Sequence, residues 1–270
     1  ASPMVFISFR FALAALILLP FVKIIFKNSH LKELKGGLIL GLIYFLGFAL
    51  QTVGLNYTTA TKSGFITGTF VIFTPVFQIF IEKKMPTRAN IIGAGLVVLG
   101  LIFLSSNGES LFDIFNELGS NFNIGDFFTL LCAFFFALYL VYVDIISKKF
   151  DYMPLTFIQI SITAVGGIIA ATVLGAFSIE PVKLIVTSNL VWAILYTSIL
   201  ATIVTTIIQT KYQKVVTPTK AGIIFSFEPI FAATLAFFML KESISSFGVV
   251  GCIFIFAGLL VTELLDKNKG

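Results

Sequence analysis

The sequence predicts an all-α membrane protein built from two inverted five-helix repeats, a ten-helix fold with the first helix absent and nine transmembrane helices in this chain. Three observations predict it. The 270 residues are 58% hydrophobic and only 11% charged, with a mean hydropathy of +1.04, more apolar surface than a water-soluble domain of this size can bury. The chain divides into nine apolar stretches, each near the roughly 20 residues that a helix needs to cross about 30 Å of hydrocarbon. Its second half also repeats the first at a fixed separation: residues 51–104 and 209–262 match at 14 of 54 positions without a gap.

The stretches are approximately 3–22, 36–55, 63–81, 89–105, 125–146, 154–176, 185–209, 219–240 and 246–264. The first opens on Pro3-Met-Val-Phe6-Ile7, which resembles Pro154-Leu-Thr-Phe157-Ile158 at the head of 154–176, so it reads as the second helix of its repeat. Stretches 36–55 and 185–209 share Gln51-Thr52 and Gln209-Thr210 at their ends. Stretches 63–81 and 219–240 share Thr61-Lys62 with Gly64 and Thr219-Lys220 with Gly222, then Ile72-Phe73 and Ile230-Phe231. Gly93 and Gly100 in 89–105 recur as Gly251 and Gly258 in 246–264. Only 125–146 lacks a counterpart, which would end before Ala1; because the chain also begins with Ala, an upstream helix is expected. The connection 106–124 carries Glu109, Asp113 and Glu117 and no Lys or Arg. It reads as a solvated extracytoplasmic loop joining a first repeat, 1–105, to a second, 125–270. An odd number of spans per repeat turns one copy upside down relative to the other, the arrangement many secondary transporters use.

Charge gives the orientation, because loops rich in Lys and Arg stay in the cytoplasm. One set of alternate connections holds 14 of the 18 basic residues, the other only Lys62, Lys183 and Lys241, and Arg10 lies inside a span. This places Gly270 in the cytoplasm of a multi-pass cell-membrane protein whose surroundings are the lipid bilayer. The net charge of +5 belongs to that topology and argues for no nucleic-acid partner. Cys132 and Cys252 both fall in apolar runs and read as small packing residues.

The run Thr61-Lys-Ser-Gly-Phe-Ile-Thr-Gly-Thr-Phe-Val-Ile-Phe-Thr-Pro75, followed by Glu82-Lys-Lys and Gly93, resembles the first half of an EamA-type member of the drug/metabolite transporter superfamily. Thr217-Pro-Thr-Lys-Ala-Gly-Ile-Ile-Phe-Ser-Phe-Glu228-Pro229, followed by Leu240-Lys-Glu242 and Gly251, resembles the second half. The resemblance extends over essentially the whole chain. It implies ten helices in two five-helix inverted repeats, export of small metabolites or drugs, and a central cavity among spans 36–55, 63–81, 185–209 and 219–240.

Two ionisable residues lie well inside spans, where each costs at least about 2.5 kcal/mol to insert and so has a function or a partner. Arg10 is roughly 10 Å deep and Glu228 roughly 15 Å deep, from opposite ends. They are expected to approach each other or to face a wet cavity. Glu228 stands beside Pro229, which, like Pro75, interrupts the backbone ladder. It either binds a cationic substrate group or carries a proton there, or caps freed amides and pairs with Arg10 to hold its helix in place.

Lys62 and Lys220 are repeat mates at helix starts, read either as paired anion sites beside helix amides or as snorkelling anchors. Gln51 and Gln209 occupy equivalent helix ends. Tyr44, Tyr139, Tyr196 and Trp192 outline a pocket, with Trp192 also suited to an interfacial aromatic belt. Glycine and small-residue pairs at four-residue spacing (Gly37 and Gly41, Gly64 and Gly68, Gly222 and Ser226) suit close helix contacts.

No catalytic site, metal site or cofactor is expected. His30 is alone in a lysine-rich loop, no phosphate-binding glycine loop is present, and no Asp pairs suit a metal and a diphosphate. The function that follows is alternating-access secondary transport of a small-molecule substrate, an exporter of amino acids or related compounds. The alternatives are an intramembrane enzyme acting on lipids and a scaffold or sensor that transports nothing. One buried carboxylate permits proton coupling without requiring it.

Overall fold

A computed structural model describes residues 1–26, 31–104, 122–178, 180, 182–235 and 246–266. Among them the regular structure is helical throughout, as the 3.6-residue apolar runs dictate in a solvent that cannot satisfy open backbone groups. In chain order the helices are α1 (Pro3–Leu18), α2 (Val22–Ile25), α3 (Leu31–Gly54), α4 (Ala60–Gly68), α5 (Phe70–Phe77), α6 (Arg88–Leu104) and α7 (Ile124–Ser147). They continue with α8 (Tyr152–Ala176), α9 (Ser188–Ser198), α10 (Thr205–Tyr212), α11 (Pro218–Phe225), α12 (Glu228–Leu235) and α13 (Ser246–Asp266). Wide π turns follow α5 at Gln78–Glu82 and join α9 to α10 at Ile199–Val204.

Among the described residues seven helical runs are long and apolar enough to cross a membrane: Pro3–Ile25, Lys32–Gly54, Lys62–Glu82, Ile124–Ser147, Tyr152–Ala176, Ser188–Val215 and Ser246–Leu265. Nine were expected. The 89–105 stretch forms a helix of 17 residues, about 25 Å long. The 219–240 stretch is divided between α11 and α12 and described as far as Leu235. The loop expected at 106–124 lies almost wholly outside the described residues, as do His30 and Glu242.

The chain forms two compact units. The first comprises Ala1–Val53 and Tyr142–Val216. In it α1 and α3 both pack on α8 at positions without side chains. A Cβ at Gly37 would lie 2.6 Å from Ile158 Cβ, one at Gly41 2.6 Å from Ile162 Cβ, and one at Gly167 3.1 Å from the Ser8 amide. The expectation for Gly37 and Gly41 therefore holds, and Thr163 Oγ1 adds a hydrogen bond to the Gly41 carbonyl at 3.3 Å.

The second unit comprises Gly54–Val141 and Thr217–Gly270, and its local structure repeats at the 158-residue separation. Thr59 caps α4 by accepting from the Lys62 amide at 3.2 Å, and Thr217 caps α11 by accepting from the Lys220 amide at 3.3 Å. Both helices then break after two turns. The Thr69 amide reaches the Ile66 carbonyl at 3.1 Å and the Phe227 amide the Ile224 carbonyl at 3.2 Å, tight turns in place of α bonds. The ladder restarts identically, Ile72 to Thr69 and Ile230 to Phe227. Side-chain hydroxyls take up carbonyls around each break: Thr69 Oγ1 donates to Ile66 O at 2.6 Å and Ser226 Oγ to Gly222 O at 2.9 Å. Pro75 inside α5 and Pro229 at the second position of α12 have no amide to leave unpaired.

The small residues here do not all serve close packing. A Cβ at Gly64 would meet nothing within 4 Å, and one at Gly222 only ordinary contacts from 3.6 Å. The tight contact is instead between α6 and α13. A Cβ at Gly93 would lie 2.7 Å from the Gly258 carbonyl oxygen, and one at Gly100 2.7 Å from that of Gly251. The helices therefore run antiparallel, and each glycine meets the repeat equivalent of the other. Around this crossing Val71, Val97, Leu101, Ile223 and Ile255 are buried as one apolar cluster.

Candidate functional site

In the first unit the candidate site is organised around Arg10 on α1. Its Nε donates to Thr202 Oγ1 at 2.8 Å and its Nη2 to the Ala201 carbonyl at 3.0 Å, while its own carbonyl accepts from Ser198 Oγ at 2.8 Å. The guanidinium carbon lies 5.1 Å from the Phe11 ring centre and 4.7 Å from that of Phe48, within cation–π range. Tyr44 stands edge-on to both rings, and its hydroxyl is 3.2 Å from Thr206 Oγ1. Further along, Gln159 Nε2 donates to Thr210 Oγ1 at 3.0 Å.

Ser198, Thr202, Thr206 and Thr210 thus form a buried hydroxyl stripe at four-residue spacing. Its members bond to groups from α1, α3 and α8. In hydrocarbon such bonds are the glue between helices, about 0.6 to 2 kcal/mol each.

The second unit holds the two lysines, and each meets a carboxylate. Lys62 Nζ lies 2.6 Å from Asp126 Oδ2, with the Asp126 side chain wholly buried. Asp126 also accepts from Thr58 Oγ1 at 2.6 Å and from the Asn123 amide at 2.9 Å, while its own amide donates to Asn123 Oδ1 at 3.0 Å. This is a reciprocal cap at the start of α7. Lys220 Nζ lies 2.5 Å from Glu263 Oε2, and that carboxylate is 44% exposed. The structure thus gives both lysines a protein anion as partner, an arrangement that neither reading of the sequence contained.

Glu228 opens α12 at an exposed position, and Cys132 on α7 is buried. Tyr139, on the same helix, is buried. Trp192 and Tyr196 lie one turn apart on α9 and are 69% and 60% exposed. Gln51 and Gln209 are half-buried on α3 and α10, and Pro75 is half-buried inside α5. The structure therefore joins Arg10 and Tyr44 into one cluster, with Phe11, Phe48 and the hydroxyl stripe as its frame.

Asp126, Ser198 and Gln159 escaped the sequence reading, and Thr210 entered it only as a mark of the repeat. Asn123 followed three residues later by Asp126 before an apolar run is a capping signal, and it identifies Asp126. Nothing local marks Gln159, whose partner is 51 residues away.

The EamA-like transporter family model matches residues 1–106 and 123–264. The chain belongs to the EamA-like transporter family. Among similar proteins is an uncharacterised transporter of Archaeoglobus fulgidus, 29% identical over 263 residues, with 97% of this chain and 77% of that protein covered. An uncharacterised transporter of Clostridium kluyveri is 27% identical over 266 residues, covering 96% of this chain and 82% of its own. The uncharacterised transporter YyaM of Bacillus subtilis is 26% identical over 272 residues, covering 97% and 85%. One solved crystal structure superposes with a TM-score of 0.75 at 14% identity, covering 99% of this chain and 90% of that one, a likeness of fold. As an EamA-like transporter the chain is a multi-pass membrane protein, and its polar stripe and buried charges belong to a protein that moves a solute.

Proposed function

We propose that this EamA-like protein is a secondary transporter that exports small organic metabolites or drugs, amino acids or related compounds among them, by alternating access. The observation that carries the reading is the crossing of α6 and α13. Gly93 against Gly258 and Gly100 against Gly251 is the pairing that a two-fold axis in the membrane plane produces when one repeat is inverted on the other. The matched caps and breaks of α4–α5 and α11–α12 support the same duplication. Broken helices of this kind occur at substrate sites in membrane transporters, because unsatisfied backbone is tolerated only where it is buried or wet.

In this reading Glu228 in the second unit receives the cationic group of a substrate or a proton, and Arg10 in the first unit offers the opposite charge. Tyr44, Tyr139, Tyr196, Trp192, Gln51 and Gln209 are candidate contacts for the solute, and Lys62 and Lys220 stand at opposite leaflets with Gly270 in the cytoplasm. The test is accumulation of radiolabelled amino acids, and resistance to toxic analogues, in cells expressing the protein, its Glu228→Gln variant or neither. The reading expects lower accumulation and higher resistance with the parent protein and loss of both with Glu228→Gln at equal membrane abundance. Identical accumulation and resistance in all three cell lines across the amino acids and drugs would contradict it.

A further inference from the structure

The wide turn at Ile199–Val204 has no proline or glycine behind it. Helices that depart from α geometry do so at Pro, at Gly or where a side chain enters the ladder, and Ser188–Val215 contains neither Pro nor Gly. The other wide turn, Gln78–Glu82, follows Pro75. At Ile199–Val204 the entering group is Arg10. The Thr205 amide reaches back five residues to the Leu200 carbonyl. That leaves the Ala201 carbonyl without its usual partner four residues on, and it accepts from Arg10 Nη2 at 3.0 Å and Thr205 Oγ1 at 2.9 Å. Arg10 Nε holds Thr202 Oγ1 beside it, and Ser198 Oγ ties the near end of the turn to the Arg10 carbonyl. In a lipid environment a carbonyl without a donor is strongly disfavoured, so these donors decide which ladder forms.

We propose that Arg10 is a positioning residue that props open this turn and thereby sets the rotation of Trp192 and Tyr196 relative to Thr206 and Gln209. A π turn holds one residue more than the α turn it replaces. Closing it turns everything on the α9 side by about 100° about the helix axis. Trp192 and Tyr196 leave the face they occupy while Thr206 and Thr210 keep their bonds to α3 and α8. Arg10 thus acts on the aromatic pair from a distance, through the register of the helix that carries them. The inference rests on the proposed function only in treating that pair as cavity lining.

Trp192 is the single tryptophan of the chain, so its fluorescence in vesicles reports the rotation directly, whether or not anything is transported. The full chain, Arg10→Lys, Arg10→Met and a deletion of Leu200 are reconstituted and quenched with brominated lipid. Arg10→Lys retains a donor and keeps the parental quenching. Arg10→Met and the Leu200 deletion, which removes the extra residue, each change the quenching constant in the same direction by at least about twofold, the scale of change from a side chain turned by about 100°. Parental quenching in a folded Arg10→Met, or in the Leu200 deletion, overturns the proposal. If Arg10→Met alone does not fold, combining it with the Leu200 deletion restores folding, since the closed turn has no carbonyl for Arg10 to serve. Failure of that combination, with the deletion alone folded, equally overturns it.

Discussion

At the scale of single residues, the two repeat-mate lysines differ in what they hold together. Asp126 is wholly buried and takes three donors, so removing the Lys62 ammonium leaves its carboxylate without the counter-charge. Breaking a buried pair from one side costs about 3 kcal/mol or more. Lys62→Met is therefore expected to lower the thermal midpoint in detergent clearly. Lys220→Met exposes only Glu263, already 44% open, and is expected to cost less than about 1 kcal/mol. Equal midpoints for the two variants would contradict this division. The hydroxyl stripe gives a third expectation: Thr202→Val takes away the acceptor of Arg10 Nε and costs about 1 to 3 kcal/mol for the unsatisfied donor, whereas Thr205→Val leaves the Arg10 bond to the Ala201 carbonyl in place and costs less. Chemical denaturation of both variants compares the two.

At the scale of helices, the glycines separate into those that admit a neighbour and those that do not. A methyl group at Gly100 would sit 2.6 Å from Ile255 Cγ1 and 2.7 Å from the Gly251 oxygen, and both are held by the same crossing. Gly100→Ala is expected to cost about 1 to 3 kcal/mol by overpacking and to reduce the yield of monodisperse protein. Gly64→Ala meets nothing within 4 Å and lies inside a helix, where Ala is preferred to Gly by about 1 kcal/mol. That variant is expected to be at least as stable as the parent. Thermal unfolding monitored by helical circular dichroism distinguishes them.

The same helices show how far the sequence reaches. The caps at Thr59 and Thr217 and the glycines of α6 and α13 are written in local residue types that recur at the repeat interval. The wide turn at Ile199–Val204 is not, because its cause is a side chain on α1, nearly two hundred residues earlier. For the same reason the Lys62 and Lys220 partners stayed hidden: ion-pair partners on other helices leave no periodic trace. Charges at span ends, such as Asp126, are also easily passed over by a search for charges at mid-depth.

For the whole molecule, family membership, the helical fold and the local symmetry of the second unit converge on a duplicated transporter. The EamA-like match covers both halves, and the antiparallel glycine crossing relates them by exchange of equivalent positions. The central claim is that the two copies face opposite leaflets. Asn56 and Lys214 are separated by the repeat interval and precede the equivalent caps Thr59 and Thr217. In a background with Cys132→Ala and Cys252→Ala, single variants Asn56→Cys and Lys214→Cys are labelled in intact cells with a membrane-impermeant thiol reagent. The account predicts labelling of position 56 from outside and of position 214 only after the membrane is opened. Labelling of both from the same side would contradict it.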